Sequence, residues 1–245
     1  MKYPFNPIER RVYPKTFLKD VRLAVYFVPV DFSSVDKEQI KQFFDQFKGA
    51  SIDVTKLPEG IELQSQDNYI RLNFSLASVE VMLRQPYYKK FEQAESFLGA
   101  ISKFLEILSV RSLQKLSISK YNELKFQQSS EDYPILNIMK GVFSEELLNK
   151  MGAENNSFEN MVRWEKALSF DGSEETGTLF YAECGFCKTE PNSLKGSLAL
   201  TTRVESSIDV NVEKLIDTAR FYNQILDESF HWCVTKEIIE KMSES

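Results

Sequence analysis

The sequence predicts an α+β fold. Its antiparallel strands form one broad sheet, covered on one face by two long helices, with an internal duplication of strand, helix, three strands and long helix. Three observations carry this expectation. Residues Val212 to Met242 contain no Pro or Gly, and Val212, Leu215, Ala219, Tyr222, Leu226, Phe230 and Cys233 recur in steps of three and four. Tyr87 to Leu108 keeps the same rhythm through Phe91, Ala94, Leu98, Ile101, Leu105 and Leu108. Ahead of each helix run short segments that alternate with a period of two. The competing reading is one irregular α+β domain, because residue identity between the halves is too weak to display a repeat directly.

A chain of 245 residues with 42% apolar content can bury one large core or two intimate small ones. Net charge is −6, with a pI near 5.1, which sets nucleic acid aside as a partner, since such modules are more often basic. No apolar run approaches the roughly 20 residues that cross a bilayer, and the N-terminus lacks the hydrophobic region of a signal peptide. Three cysteines give no disulfide framework, so the expected compartment is reducing and cytoplasmic.

Residues 1–19 hold Pro4, Pro7 and Pro14 and read as an extended leader laid across the surface. Six basic residues (Lys2, Arg10, Arg11, Lys15, Lys19, Arg22) stand there or just beyond, against Glu9 and Asp20. They read as a solvated arm, with a phosphate-binding arm as the competing reading. The first half, residues 20–110, opens with a strand in which Val21, Leu23, Val25 and Phe27 share a face. Ser33 and Asp36 resemble a capping box for a helix to about Lys48, whose core face is Ile40, Phe43, Phe44 and Phe47 and which Gly49 closes. Pro58, Glu59 and Gly60 make a turn. Strands follow at Ile61–Ser65, Tyr69–Ser75 and Ser78–Arg84, and their short connections make them antiparallel. In the helix after them Gly99 costs about 1 kcal/mol relative to Ala, which a close packing contact would explain.

The second half, residues 111–245, repeats this order. A strand spans Leu113–Leu124, and short helices lie within Glu131–Met151, with Pro134 in a first turn and Ser144 as a cap. Strands then run at Arg163–Phe170, Leu179–Cys187 and Ser197–Glu205. Asp209 or Asn211 caps the terminal helix, which at 1.5 Å per residue is about 45 Å long. Phe221, Ile225 and Trp232 form a second apolar flank, roughly 100–140° from the first. A helix apolar over so much of its girth needs cover on two sides, which favours a dimer.

Few residues point to chemistry. Cys184 and Cys187 are the one cysteine pair at chelating spacing, and Gly185 permits the tight turn that zinc would need, with His231 as a third ligand. If the segment is a plain strand, the two thiols face opposite ways and no zinc site exists. His231 is the sole histidine, and it reads as structural rather than catalytic, about 140° from the helix core face. No phosphate loop, hydrolase elbow or zinc-protease run is present, so no catalytic residue is assigned. The acidic clusters Glu131-Asp132, Asp171 and Glu174-Glu175 sit in loops, and their spacing singles out no acid/base pair. Tyr69, Arg71, Asn73, Glu80, Met82 and Arg84 face outward from the first half, as a binding surface or as an ordinary wet sheet face.

Three stretches carry a resemblance. Pro86-Tyr87-Tyr88 with Phe91 opens the first long helix, Lys120-Tyr121-Asn122 ends a strand, and Phe230-His231-Trp232-Cys233-Val234-Thr235 lies near the end. In these the chain resembles a sporadically distributed family of uncharacterised bacterial proteins of similar length. Where that family has an Arg-Tyr pair this chain has Lys120-Tyr121, and His231 and Lys236 stand at its two acidic places. The resemblance implies no catalytic residues. The family's patchy occurrence implies an accessory function, defence against phage among them.

The function expected is therefore a non-catalytic binding or protein-interaction module, working through a protein partner or self-association. Its surfaces would be the open sheet face (Tyr69, Arg71, Arg84) and the flank Phe221, Ile225 and Trp232. The alternative is an enzyme or small-ligand-binding protein with a pocket between sheet and helices, marked by converging carboxylates of raised pKa.

Overall fold

The computed structural model describes residues 3–8, 13–31, 33, 35–47, 52–57, 60–130, 134–158, 161–172, 177–190 and 193–244. The chain begins β1 (Leu18–Tyr26), α1 (Lys37–Asp45), β2 (Ile52–Leu57), β3 (Gly60–Ser65), β4 (Ile70–Ser75), β5 (Ser78–Arg84) and α2 (Phe91–Ile107). It continues with β6 (Ser112–Leu113), β7 (Lys115–Gln127), α3 (Ile135–Lys140), α4 (Glu145–Met151), β8 (Arg163–Asp171), β9 (Thr178–Lys188) and β10 (Lys195–Ser206). It ends with β11 (Val210–Asn211), α5 (Leu215–Cys233) and α6 (Lys236–Ser243). Contacts divide it into two compact units. One takes residues 20–119 and 205–223, and the other takes 1–19, 120–204 and 224–245. The chain therefore passes between units at Lys19/Asp20, at Ser119/Lys120, at Val204/Glu205 and within α5, whereas the sequence placed its halves at 20–110 and 111–245.

In the unit of residues 20–119 and 205–223 the strand order is β2-β3-β4-β5-β1-β7, and β6 and β11 form a separate ladder. Alternation does its work in β1, where Val21, Leu23 and Val25 are fully buried, and the pairs β3–β4 and β4–β5 are antiparallel as expected. Strand β2 was not anticipated. It is exposed along nearly its whole length, so no period of two marks it, and its ladder to β3 holds it from Ile52↔Ser65 to Leu57↔Gly60. Asp36 alone caps α1, accepting from the amides of Glu38 and Gln39, while Ser33 bonds Asp31 instead of completing a capping box. The predicted closure at Gly49 and the turn residues Pro58 and Glu59 lie outside the described residues. Phe74 of β4 packs edge-on against Phe104 of α2 and Phe44 of α1, at 5.0 and 5.3 Å between centroids. Gly99 has no close contact. A Cβ built there meets nothing within 4 Å, so packing does not explain this glycine.

In the other unit the strand order is β7-β10-β9-β8, with β8 at the edge. Buried side chains alternate along β9 (Phe180, Ala182, Cys184) and β10 (Leu198, Leu200, Thr202, Val204). Ser144 caps α4 by accepting from the Leu147 amide, and Gly152 closes it with φ 64°, the left-handed conformation that suits glycine. The single terminal helix of the sequence reading is broken. Val234 bridges to Phe143, the Thr235 amide donates to Val142, and Thr235 caps a new helix, α6. Two successive β-branched residues favour that extended step, so the 19 residues of α5 reach only about 28 Å. Along the leader the described residues are exposed or half-buried, apart from Phe5. Phe5 is 6% exposed, 5.2 Å from Phe180 and 6.4 Å from Trp232, and the Tyr3 hydroxyl bonds Thr178. Of its charges, Lys2, Glu9, Arg10 and Arg11 lie outside the described residues. Among the described residues no helix is long and apolar enough to cross a membrane.

Candidate functional site

Strands β7, β9 and β10 bury the side chains of one face and leave the other open, and edge strand β8 continues that open face. Along the open face run Tyr121 of β7, Arg163 and Glu165 of β8, Glu183 and Cys187 of β9, and Ser197, Ala199 and Thr201 of β10. They line a cleft of about 310 Å³, within the range of small-ligand sites.

One glycine shapes it. The antiparallel register sets Glu165 opposite Gly185 and Ala167 opposite Glu183. A Cβ on Gly185 would stand 2.2 Å from the Trp164 carbonyl oxygen and 3.0 Å from Glu165 Cα, so only glycine fits this close approach of β8. No side chain therefore rises beside Glu165, and its carboxyl leans diagonally along the ladder to hydrogen-bond Glu183. Arg163 holds Glu165 from the other side, with Nε donating to Oε2 at 2.8 Å and a second guanidinium nitrogen on the same oxygen.

The two carboxyls divide one proton unequally. The hydrogen bond to Glu165, partial burial and the negative charge of Glu165 push Glu183 up from 4.5 to about 7. Glu165 is lowered, because Glu183 and then Arg163 donate hydrogen bonds to its ionised form. Farther along the face Arg203 lies over the Tyr181 ring at 4.3 Å, and its charge partly offsets the rise at Glu183. Such a pair can exchange a proton near neutrality, or give that proton up to a cation entering the cleft.

The residues named from sequence are scattered by comparison. Cys184 is buried and Cys187 exposed, on opposite faces of β9, because the segment is a plain strand. The expected zinc arrangement therefore does not form. Burial pushes the Cys184 thiol up to about 12, and Cys233 also rises with burial. The third expected ligand, His231, has its Nε2 2.7 Å from the Tyr13 hydroxyl. Among the described residues no group of three His, Cys, Asp or Glu could hold a metal ion.

The second flank of the terminal helix does not form a single surface. Ile225 is 3% exposed and belongs to the core, and Trp232 is covered by Phe5 and Phe170, the latter 5.7 Å away. Phe221 is 41% exposed. On the outward face of β3 to β5, Arg71 pairs with Glu62 at 3.4 Å and donates to Gln64. Arg84 reaches the Asn68 carbonyl at 3.4 Å, and its amide donates to the carbonyl of Tyr69.

Glu165 and Glu183 escaped the sequence reading because 18 positions separate them and only the β8–β9 register joins them. The one local sign was a glycine inside a strand, Gly185, read there as a turn for zinc. No protein-family model matches the chain, and no curated protein matches it.

Proposed function

We propose that the chain is a non-catalytic binding module whose working site is the cleft on the open face of β7 to β10. The observation that carries this reading is the Glu165–Glu183 pair, two carboxyls with one proton between them beside Arg163. The ligand chemistry that fits is an amine or guanidinium group. Its charge takes the place of the shared proton, and both carboxylates then accept its hydrogen bonds.

Calorimetric titration of agmatine and spermidine at pH 6.5, in two buffers of different ionisation enthalpy, tests this. Binding with release of up to one proton is the expected result, lost in Glu183→Gln. Absence of binding at millimolar ligand, or binding without proton release, would remove the reading.

The second reading is an enzyme that uses the pair for proton transfer. Its support is Glu183 at about 7, since a general acid or base works best near the ambient pH. In either case the cleft lies on the outer sheet face, not between sheet and helices.

Several broader expectations belong with this proposal. The duplication is supported by strand order, since the first strand of each set pairs with the last of its meander, β1 with β5 and β7 with β10. Helices α2 and α5 are the proposed cover of one sheet face. Kinship with the sporadic bacterial family, an accessory or defence role, a cytoplasmic location and a protein partner or second copy complete the reading. Exposed Phe221 and the face of Tyr69, Arg71 and Arg84 are the secondary contact surfaces.

A further inference from the structure

Strand β8 is the edge of its sheet, nine residues long and paired with β9 in unbroken register from Arg163↔Cys187 to Asp171↔Leu179. Most of its residues are exposed, and it holds no proline and no bulge. Among the described residues, no backbone hydrogen bond outside the β8–β9 ladder involves it. Long, flat edges of this kind are the ones to which a further strand adds, and proteins usually blunt them.

We propose that the further strand is β8 of a second copy, joined antiparallel about a two-fold axis at Ala167. A two-fold axis perpendicular to a sheet keeps every side chain on its own face, so each residue must meet one of the same parity. Centred on Ala167, the register sets Arg163 against Asp171, Trp164 against Phe170 and Glu165 against Ser169 of the second copy. Opposite charges close both ends, an aromatic pair lies inside each, and the smallest side chain of the strand sits on the axis. Adjacent registers are penalised. Centring on Lys166 places two lysines face to face, and centring on Leu168 places Glu165 against Asp171. Lys166, opposite Leu168 in the favoured register, is the one blunting charge, and it is exposed enough to turn to water.

The proposal does not depend on what the cleft binds, and its test reads mass. Sedimentation of the full chain should give a dimer, twice 28.4 kDa, in reversible equilibrium. Ala167 is exposed but stands opposite Glu183, so circular dichroism and the melting temperature check that Ala167→Glu and Ala167→Lys each keep the fold. Each variant alone places like charges on the axis and should weaken the dimer by about tenfold or more. Mixing the two variants should restore a mixed dimer. A wild-type chain that stays monomeric at high micromolar concentration would overturn the proposal. So would a dimer indifferent to both substitutions, which would place the interface elsewhere, or failure of the mixture to recover.

Discussion

Replacing Glu183 by Gln removes the second titrating carboxyl and keeps a hydrogen-bond donor for Glu165. In the wild type the folded chain holds a proton on Glu183 up to about pH 7, whereas an unfolded glutamic acid releases it near 4.5. Between these values the folded state binds more protons, so stability falls as pH rises. This contribution is complete below about 4.5 and gone once pH has passed about 7. Glu165 acts oppositely, with stability present above its ordinary value and lost as pH falls, so the window from pH 5 to 8 belongs to Glu183. Raising the affinity from 4.5 to about 7 corresponds to about 3.4 kcal/mol at full strength. Glu183 is only half-buried, so water screens the repulsion, and about 1 kcal/mol is expected. Urea unfolding at pH 5, 6.5 and 8 measures it. The wild type should lose about 1 kcal/mol more across this range than Glu183→Gln. Parallel pH dependences would refute the shared proton, and with it the basis for the cleft's chemistry.

Five other substitutions probe the fold. Gly185→Ala forces a Cβ against the Trp164 carbonyl and should cost about 1–3 kcal/mol in urea unfolding, with loss of agmatine binding as β8 shifts. Gly99→Ala fills open space on α2 and should instead raise stability by about 0.5–1 kcal/mol, seen as a higher melting temperature. Ile225→Ser should destabilise the chain by about 2–4 kcal/mol, whereas exposed Phe221→Ser should change stability by less than about 1 kcal/mol, so unfolding curves separate core from surface along one helix. Thr235→Ala removes the α6 cap and a bond to the Gly141 carbonyl and should cost about 1 kcal/mol, with faster amide exchange confined to α6.

Local order was legible wherever one face is buried against one that is wet. Val21, Leu23 and Val25 alternate because β1 buries one side, and Phe91 to Leu105 recur at helical spacing because α2 does the same. Ser144 was readable as a cap, and Asn211 as one of two candidates with Asp209, because a short polar side chain ahead of a helical run has few other uses. The signal failed where burial gave no pattern. Strand β2 is wet on both faces and shows no period. The break at Val234-Thr235 was hidden by an apolar rhythm that continues across it, since Cys233, Ile238 and Met242 are all buried. The anchoring of the leader by Phe5 left no sign in the sequence, because its partners, Phe180 and Trp232, lie far along the chain.

By itself, then, the sequence determined the α+β class, the strands whose sides differ and the two apolar helical stripes. These follow from interactions over a few residues, which periodicity and caps record directly. Only the tertiary structure decided that Cys184 and Cys187 part to opposite faces, that Ile225 is core, and that Glu165 meets Glu183. Strand register decides all such meetings, and a slip of one residue in β8 would turn Glu165 to the other face. What fixes that register is the close approach at Gly185 together with the burial of Phe180, Ala182 and Cys184, contacts between residues distant in the chain.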